Sequence, residues 1–120
     1  MAKFMLILHQ APGSWKDLSP EELQRKVESY QAWAARFRSS GRHVSSEKLG
    51  EEGGKLLSLQ DGRLQVVDGP YMETKEVIAG YFLFRAANYE EALELTRDCP
   101  FLQDGRIALR QTDPAGCGGE

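Results

Sequence analysis

Hydrophobic positions run without interruption in two places along the chain and alternate with polar ones elsewhere. From Lys3 to His9, Phe4, Leu6 and Leu8 fall on one face of an extended segment and Met5 and Ile7 on the other. From Val77 to Phe84 the same holds, with Ile78, Phe82 and Phe84 opposite Val77, Tyr81 and Leu83. A strand that is apolar on both faces belongs in the middle of a sheet. Between the two, Ser19-Pro20-Glu21-Glu22 reads as a helix start, with Ser19 as cap, Pro20 at the first helical position and Glu22 closing a capping box. Leu18 and Leu23 are placed to pack across that cap. Leu23, Val27, Tyr30, Ala34 and Phe37 then recur at helical spacing, Trp33 widens the stripe, and Gly41 stops it. His43 to Leu49 is mostly polar and predicts an edge strand.

The clearest hairpin is Leu56 to Gln60, Asp61-Gly62, and Arg63 to Val67, because Asp-Gly favours the type I′ turn that matches strand twist. Leu57 and Leu59 share a face with Val66 and Leu64, so one side is expected to be buried beside the main sheet and the other, with Ser58, Gln60, Arg63 and Gln65, wet. Asn88 caps a second helix with Glu91 completing a box, Ala92, Leu95 and Cys99 inward, and Pro100 as its end. Gly105 to Gln111 is a last strand with Ile107 and Leu109 inward. Gln10 to Leu18 reads as a loop carrying Trp15.

Strand, helix, strand, inserted hairpin, strand, helix, strand is the order of an α+β, ferredoxin-like split βαβ sheet with two helices on one face. One domain over residues 1–112 and a flexible tail over 113–120 follow from this order and from the Pro- and Gly-rich end. Two helices cover one face only. The other apolar face needs a partner, and a second copy of the same sheet is the economical one, which predicts a homodimer.

Composition narrows the function classes. A net charge of −3 and the lack of any Lys/Arg run give no footprint for nucleic acid. Apolar runs such as Met5 to Leu8 are far short of the roughly 20 residues that cross a bilayer. With no secretory signal pattern, a cytoplasmic location and reduced thiols at Cys99 and Cys117 are expected. Two isolated histidines and two isolated cysteines make no metal motif, and no glycine cluster forms a phosphate or dinucleotide loop, so no metal and no cofactor is expected.

The densest chemistry is Asp68-Gly69-Pro70-Tyr71-Met72-Glu73-Thr74-Lys75-Glu76. Gly-Pro forces a turn or an extended kink, which sets Asp68 at the rim of the hairpin. If the chain is extended beyond Tyr71, Glu73 and Lys75 point one way and Thr74 and Glu76 the other. A carboxylate beside an ammonium can hold a polar ligand or move a proton, and a solvated connector is the plainer alternative. His9 ends a central strand, where it is either an acid/base group facing a cleft or a strand-end imidazole bonded to backbone or water. His43, just past a helix stop, is expected at the surface, and Cys99 as inert packing on a helix.

Asp-Gly-Pro-Tyr-x-Glu-Thr-Lys-Glu, a three-residue gap, and Gly-Tyr-Phe resemble the signature of YCII-related proteins of the DGPF type, with Tyr71 in place of the usual Phe. The resemblance continues weakly from the Phe-Met-Leu-Ile-Leu start through the Glu-Glu-Ala-Leu helix to the final strand. It implies protomers pairing as a dimeric α+β barrel around a small-molecule site. In the wider family, a His on the first helix and an Asp before the last strand form a candidate acid/base pair. This chain departs at both, since its first helix has no histidine and Cys99-Pro100-Phe101 replaces Asp-Pro-aromatic. Two functions are implied. One is proton transfer or elimination on a small polar or cyclic compound, with Asp68, Glu73 and His9 as acid/base candidates and Tyr71 and Lys75 as ligand-binding ones. The alternative is a non-catalytic regulatory or accessory protein linked to extracytoplasmic-function sigma factors.

Overall fold

The computed structural model describes residues 1–10, 15, 17–50, 54–69 and 77–114. The order is β1 (Ala2–Gln10), α1 (Pro20–Ser39), β2 (His43–Lys48), β3 (Lys55–Gln60), β4 (Arg63–Asp68), β5 (Val77–Ala86), α2 (Tyr89–Thr96), a 3₁₀ turn (Pro100–Gln103) and β6 (Gly105–Gln111). β2, β5, β1 and β6 lie side by side in that order, every neighbouring pair antiparallel. The two strands that read as apolar on both faces are thus the two central ones.

Phe4, Leu6 and Phe84 are fully buried and form the core with Trp33 and Phe37 of α1 and Ala92 of α2, so both helices lie on one face of the sheet. Phe37 meets Phe84 edge-on at 5.1 Å and Tyr89 meets Phe4 edge-on at 4.8 Å. α1 starts where its sequence says it should. Ser19 Oγ accepts from the Glu22 N–H at 3.2 Å and Glu22 accepts from the Ser19 N–H at 3.1 Å, a reciprocal cap of the kind that contributes about 1 kcal/mol. Leu23, however, stays exposed in the first turn.

Several expectations are corrected. A β-bulge between Leu8 and His9 shifts the β1–β5 register, pairing Leu8 with Gly80 but His9 with Ile78. The extra residue flips the strand, so Ile78 leaves the face of Phe82 for solvent while Ala79 joins the core. The first strand also runs one residue further than expected, taking Gln10 out of the loop. In α2, Glu91 does not close a box on Asn88. Its carboxylate accepts from the Ala87 N–H and pairs with Arg42 across 2.6 Å, which together hold it below the usual glutamate range. The helix ends at Thr96, whose hydroxyl bonds back to the Ala92 carbonyl. Cys99 therefore sits beyond the helix and caps the 3₁₀ turn that Pro100 opens.

The hairpin is formed as expected, with Leu57 opposite Val66, Leu59 opposite Leu64, and both turn residues at positive φ (Asp61 52°, Gly62 76°). Its expected burial is overturned. β3 and β4 form a sheet of their own and every residue in them is exposed, Leu59 by 72%. The local turn satisfies the strands' backbone groups without help from the main sheet, and no described part of the chain covers the apolar side.

Gly105 closes the fold below the last strand. A Cβ there would lie 2.1 Å from the His9 carbonyl oxygen and 2.9 Å from Phe101, so only glycine lets β6 start against the end of β1. Among the described residues no helix is long and apolar enough to cross a membrane.

Candidate functional site

The two helices do not fill the face they cover. Beneath α1, over the ends of β1, β2 and β5, lies a cavity of about 310 Å³. Five aromatic residues line it: Trp15, Tyr30, Trp33, Phe82 and Phe101. The helical spacing of Tyr30, Trp33, Ala34 and Phe37 turns these side chains onto the sheet, and Trp33 meets Phe82 edge-on at 5.3 Å. Trp15 lies against Tyr30 at 5.3 Å, and Tyr30 against Phe101 at 5.9 Å. A small ring can be sandwiched there, since aromatic faces and edges attract one another.

Tyr30 brings a phenol to this lining, tied to Asp104 and through it to Lys26, neither of which is part of the lining. Tyr30 Oη donates to Asp104 Oδ2 at 2.5 Å, and Lys26 Nζ reaches Asp104 Oδ1 at 2.6 Å. The carboxylate is mostly buried, its side chain 12% exposed, so the ammonium and the phenol together compensate its charge. Burial, and then the bond to Asp104, hold the Tyr30 hydroxyl well above the usual tyrosine range. It stays protonated with its hydrogen on Asp104. What the phenol has left to offer a ligand is its oxygen lone pairs.

Ser46 on β2 also lines the cavity, with its Oγ 2.9 Å from His43 Nε2. His43 is half-buried against Phe82 rather than a plain surface residue, and burial, assisted by the Arg38 charge, lowers its affinity for a proton. A neutral imidazole beside a hydroxyl passes a proton either way by exchanging tautomers. Arg38, Glu47 and Lys48 add two cations and one carboxylate to the lining. Cys99 is buried there too, its thiol pushed up to about 11 by burial, which makes it a poor nucleophile at neutral pH. Trp33 Nε1 donates to Asp98 at 3.0 Å, fixing the ring that forms the inner wall.

The residues singled out from the sequence lie elsewhere or outside the described chain. His9 stands at the end of β1 between Ile78 and Arg106, half-buried, and is absent from the described lining. Asp68 ends β4 in the separate hairpin sheet, exposed, with its carboxylate 2.5 Å from the Lys55 ammonium. The two therefore belong to different sheets. Tyr71, Glu73 and Lys75 fall outside the described residues, as do Cys117 and most of the tail. Tyr30, Asp104 and Ser46 were missed. Tyr30 was legible only as one more residue of an apolar stripe, and nothing in the sequence brings Asp104 to it across 74 positions. Among the described residues no cluster of His, Cys, Asp and Glu could hold a metal ion.

The family model of the YCII-related domain matches residues 2–114. An uncharacterized protein of Rhizobium meliloti (strain 1021) is 46% identical over 37 residues, a stretch covering 31% of this chain and only 30% of that protein. Among solved structures, the fold is similar to 5-chloro-2-hydroxyhydroquinone dehydrochlorinase (TftG) from Burkholderia phenoliruptrix AC1100 in complex with 2,5-dihydroxybenzoquinone. The similarity covers 98% of this chain and 99% of that one, with a TM-score of 0.51 and 15% identity. At that identity it speaks for the α+β fold alone.

Proposed function

The chain belongs to the YCII-related domain family, and from that premise we propose that it binds a single-ring compound carrying both hydroxyl and carbonyl or phenolate oxygens in the cavity beneath α1. The observation that carries this is the cavity's combination of an aromatic enclosure with a phenol whose hydrogen is already taken. A volume of about 310 Å³ sits at the low end of small-molecule sites, which suits one ring rather than two. Tyr30 Oη accepts a ligand hydroxyl, and Arg38 and Lys48 favour an oxygen that carries negative charge. The ligand named for the TftG complex, 2,5-dihydroxybenzoquinone, is of this class.

The protein's two tryptophans, Trp15 and Trp33, both line the cavity. Titration with 2,5-dihydroxybenzoquinone, corrected against free tryptophan, is expected to quench their fluorescence to a saturating level. Quenching that matches free tryptophan would count against the proposal.

The Tyr30–Asp104 contact also favours an enzymatic reading. A ligand hydroxyl gives its proton to Tyr30 Oη as Tyr30 passes its own to Asp104, the enolate so formed takes a proton back at the ring carbon that bears the leaving group, and loss of a second hydroxyl proton then expels the leaving group with its bonding pair and leaves a quinone. The sum is elimination of an acid. A halogenated hydroxyhydroquinone should then release halide in the parent and not in Tyr30→Phe. Binding without turnover would leave the regulatory role linked to a sigma factor.

A homodimer remains part of this proposal. Met5, Ile7, Tyr81 and Leu83 lie on the sheet face opposite the helices, only half-buried, and a second copy is the partner that the pattern supports.

A further inference from the structure

His43 and Ser46 stand three residues apart on β2, a spacing that sends two side chains to opposite faces of a regular strand. Here they share a face. The register of β2 against β5 shifts between His43 and Ser45, a β-bulge that sets His43 opposite Phe84 and Ser46 opposite Phe82. Phe84 is fully buried in the core beneath α1 and Phe82 lines the cavity, so both partners mark the face that the helices cover. Ser45, opposite Leu83, takes the other face, where its hydroxyl meets that of Tyr81 at 3.3 Å. The extra residue therefore turns the His43 ring and the Ser46 hydroxyl toward one another, with Nε2 and Oγ 2.9 Å apart and the imidazole edge-on to Phe82 at 6.3 Å. Burial, and then the charge of Arg38 on α1, disfavour the imidazolium, so the resting ring is neutral with one nitrogen open to a proton. Bulges re-aim side chains in this way beside active sites.

Elimination on a hydroxylated ring removes two hydroxyl protons, and Tyr30 with Asp104 accounts for the first. A single ring held between α1 and the sheet meets Tyr30 from the helix and Ser46 from the sheet. We propose that Ser46 and His43 are the second proton port of the cavity, taking the later hydroxyl proton and so driving out the leaving group. This rests on the enzymatic reading of the cavity, and it adds the pair that completes the reaction. The ligand O–H bond breaks as its proton passes to Ser46 Oγ and the Ser46 hydrogen passes to His43 Nε2. The electron pair left on the ligand oxygen forms a carbonyl, the ring double bond shifts toward the carbon that carries the halogen, and the carbon–halogen bond breaks with its pair on the halide. His43 then returns its proton to water, which its half-buried place on an edge strand allows.

Two measurements on the full-length protein test the assignment, isothermal titration with 2,5-dihydroxybenzoquinone for binding and halide release from 5-chloro-2-hydroxyhydroquinone for turnover. Ser46→Ala and His43→Gln are each expected to bind the probe as the parent does and to release halide about a hundredfold more slowly, the lower end of what a positioned acid/base group contributes. Ser46→Thr keeps a hydroxyl at the same place and should recover most of the rate. Release at the parent rate in either Ser46→Ala or His43→Gln would overturn the relay while leaving Tyr30 and the cavity as they stand. Loss of probe binding in both would overturn it too, by showing that the pair shapes the site and moves no proton. A parent that binds the probe and releases no halide would remove the enzymatic reading and the relay with it. A parent that does not bind at all would remove the cavity as a ligand site, and this assignment as well.

Discussion

Tyr30 on α1 donates its hydroxyl hydrogen to Asp104, the residue immediately before β6, across 2.5 Å. In the wider family the candidate acid/base pair lies on these same two elements, a histidine on the first helix and an aspartate before the last strand, and this chain departs from it at both positions. Here the two elements meet through a phenol and a carboxylate instead. Lys26 completes the group from one helical turn earlier.

Removing the phenol should therefore cost more than a ring edge would suggest. Tyr30→Phe leaves a mostly buried carboxylate with one partner in place of two, and a loss of about 1–3 kcal/mol is expected, the range for depriving a buried group of its bond. Urea denaturation followed by circular dichroism measures it. An unchanged midpoint would mean the contact contributes nothing to the fold.

Cys99 supplies a pH prediction whose sign can be worked out. Its folded thiol is raised from 9.0 to about 11 by burial, so the fold favours the neutral form. That contribution is complete below pH 9 and is lost as pH climbs toward 11. In a Cys117→Ser background, the melting midpoint should fall between those values more steeply than in Cys99→Ala, Cys117→Ser. At pH 8 the thiol should react slowly with a disulfide reagent until the protein is unfolded. Fast reaction in the native state would show Cys99 to be accessible.

The hairpin offers a local test. Gly62 sits at φ 76° in a turn whose other central residue is also at positive φ, and a β-branched side chain resists that geometry. Gly62→Val should speed amide exchange over 55–68 by more than tenfold, the equivalent of about 1.4 kcal/mol. Protection in β1 and β5 should hold, because every residue of β3 and β4 is exposed and buries nothing in the core. Loss of protection throughout would mean the hairpin folds as one unit with the sheet.

The sheet order, both helices, their N-caps and the hairpin register were legible in the sequence because each is written in local chemistry. Ser19 and Glu22 sit three residues apart, Asp61-Gly62 names its own turn, and β1 and β5 declare themselves central by lacking a polar face. The bulge at Leu8 was not legible, since one extra residue flips a strand without disturbing its composition. The site was harder still. Asp68 and His9 drew attention as isolated ionisable groups at strand ends, whereas Tyr30, Asp104, Ser46 and Trp15 come together only through tertiary packing. A charge-rich motif is visible in a string of letters. A cavity is not.

Self-association tests the uncovered sheet face. At micromolar concentration, sedimentation equilibrium should return twice the chain mass of 13.5 kDa. Tyr81→Lys, on the side away from the helices, should shift it toward the single-chain mass by placing a charge in the middle of the contact. A parent that sediments at 13.5 kDa would remove the second copy from the account.

The most direct test of ligand binding beneath α1 is to fill the cavity. Ala34 lies on its wall at 8% exposure, and leucine there extends a branched side chain into the open volume. Because that space is unoccupied by protein, Ala34→Leu should cost at most the about 1–3 kcal/mol of an ordinary overpacked site. Isothermal titration with 2,5-dihydroxybenzoquinone should show one site per chain in the parent and an affinity at least tenfold weaker in the variant. Equal affinity in a folded Ala34→Leu protein would place the ligand elsewhere and contradict the account.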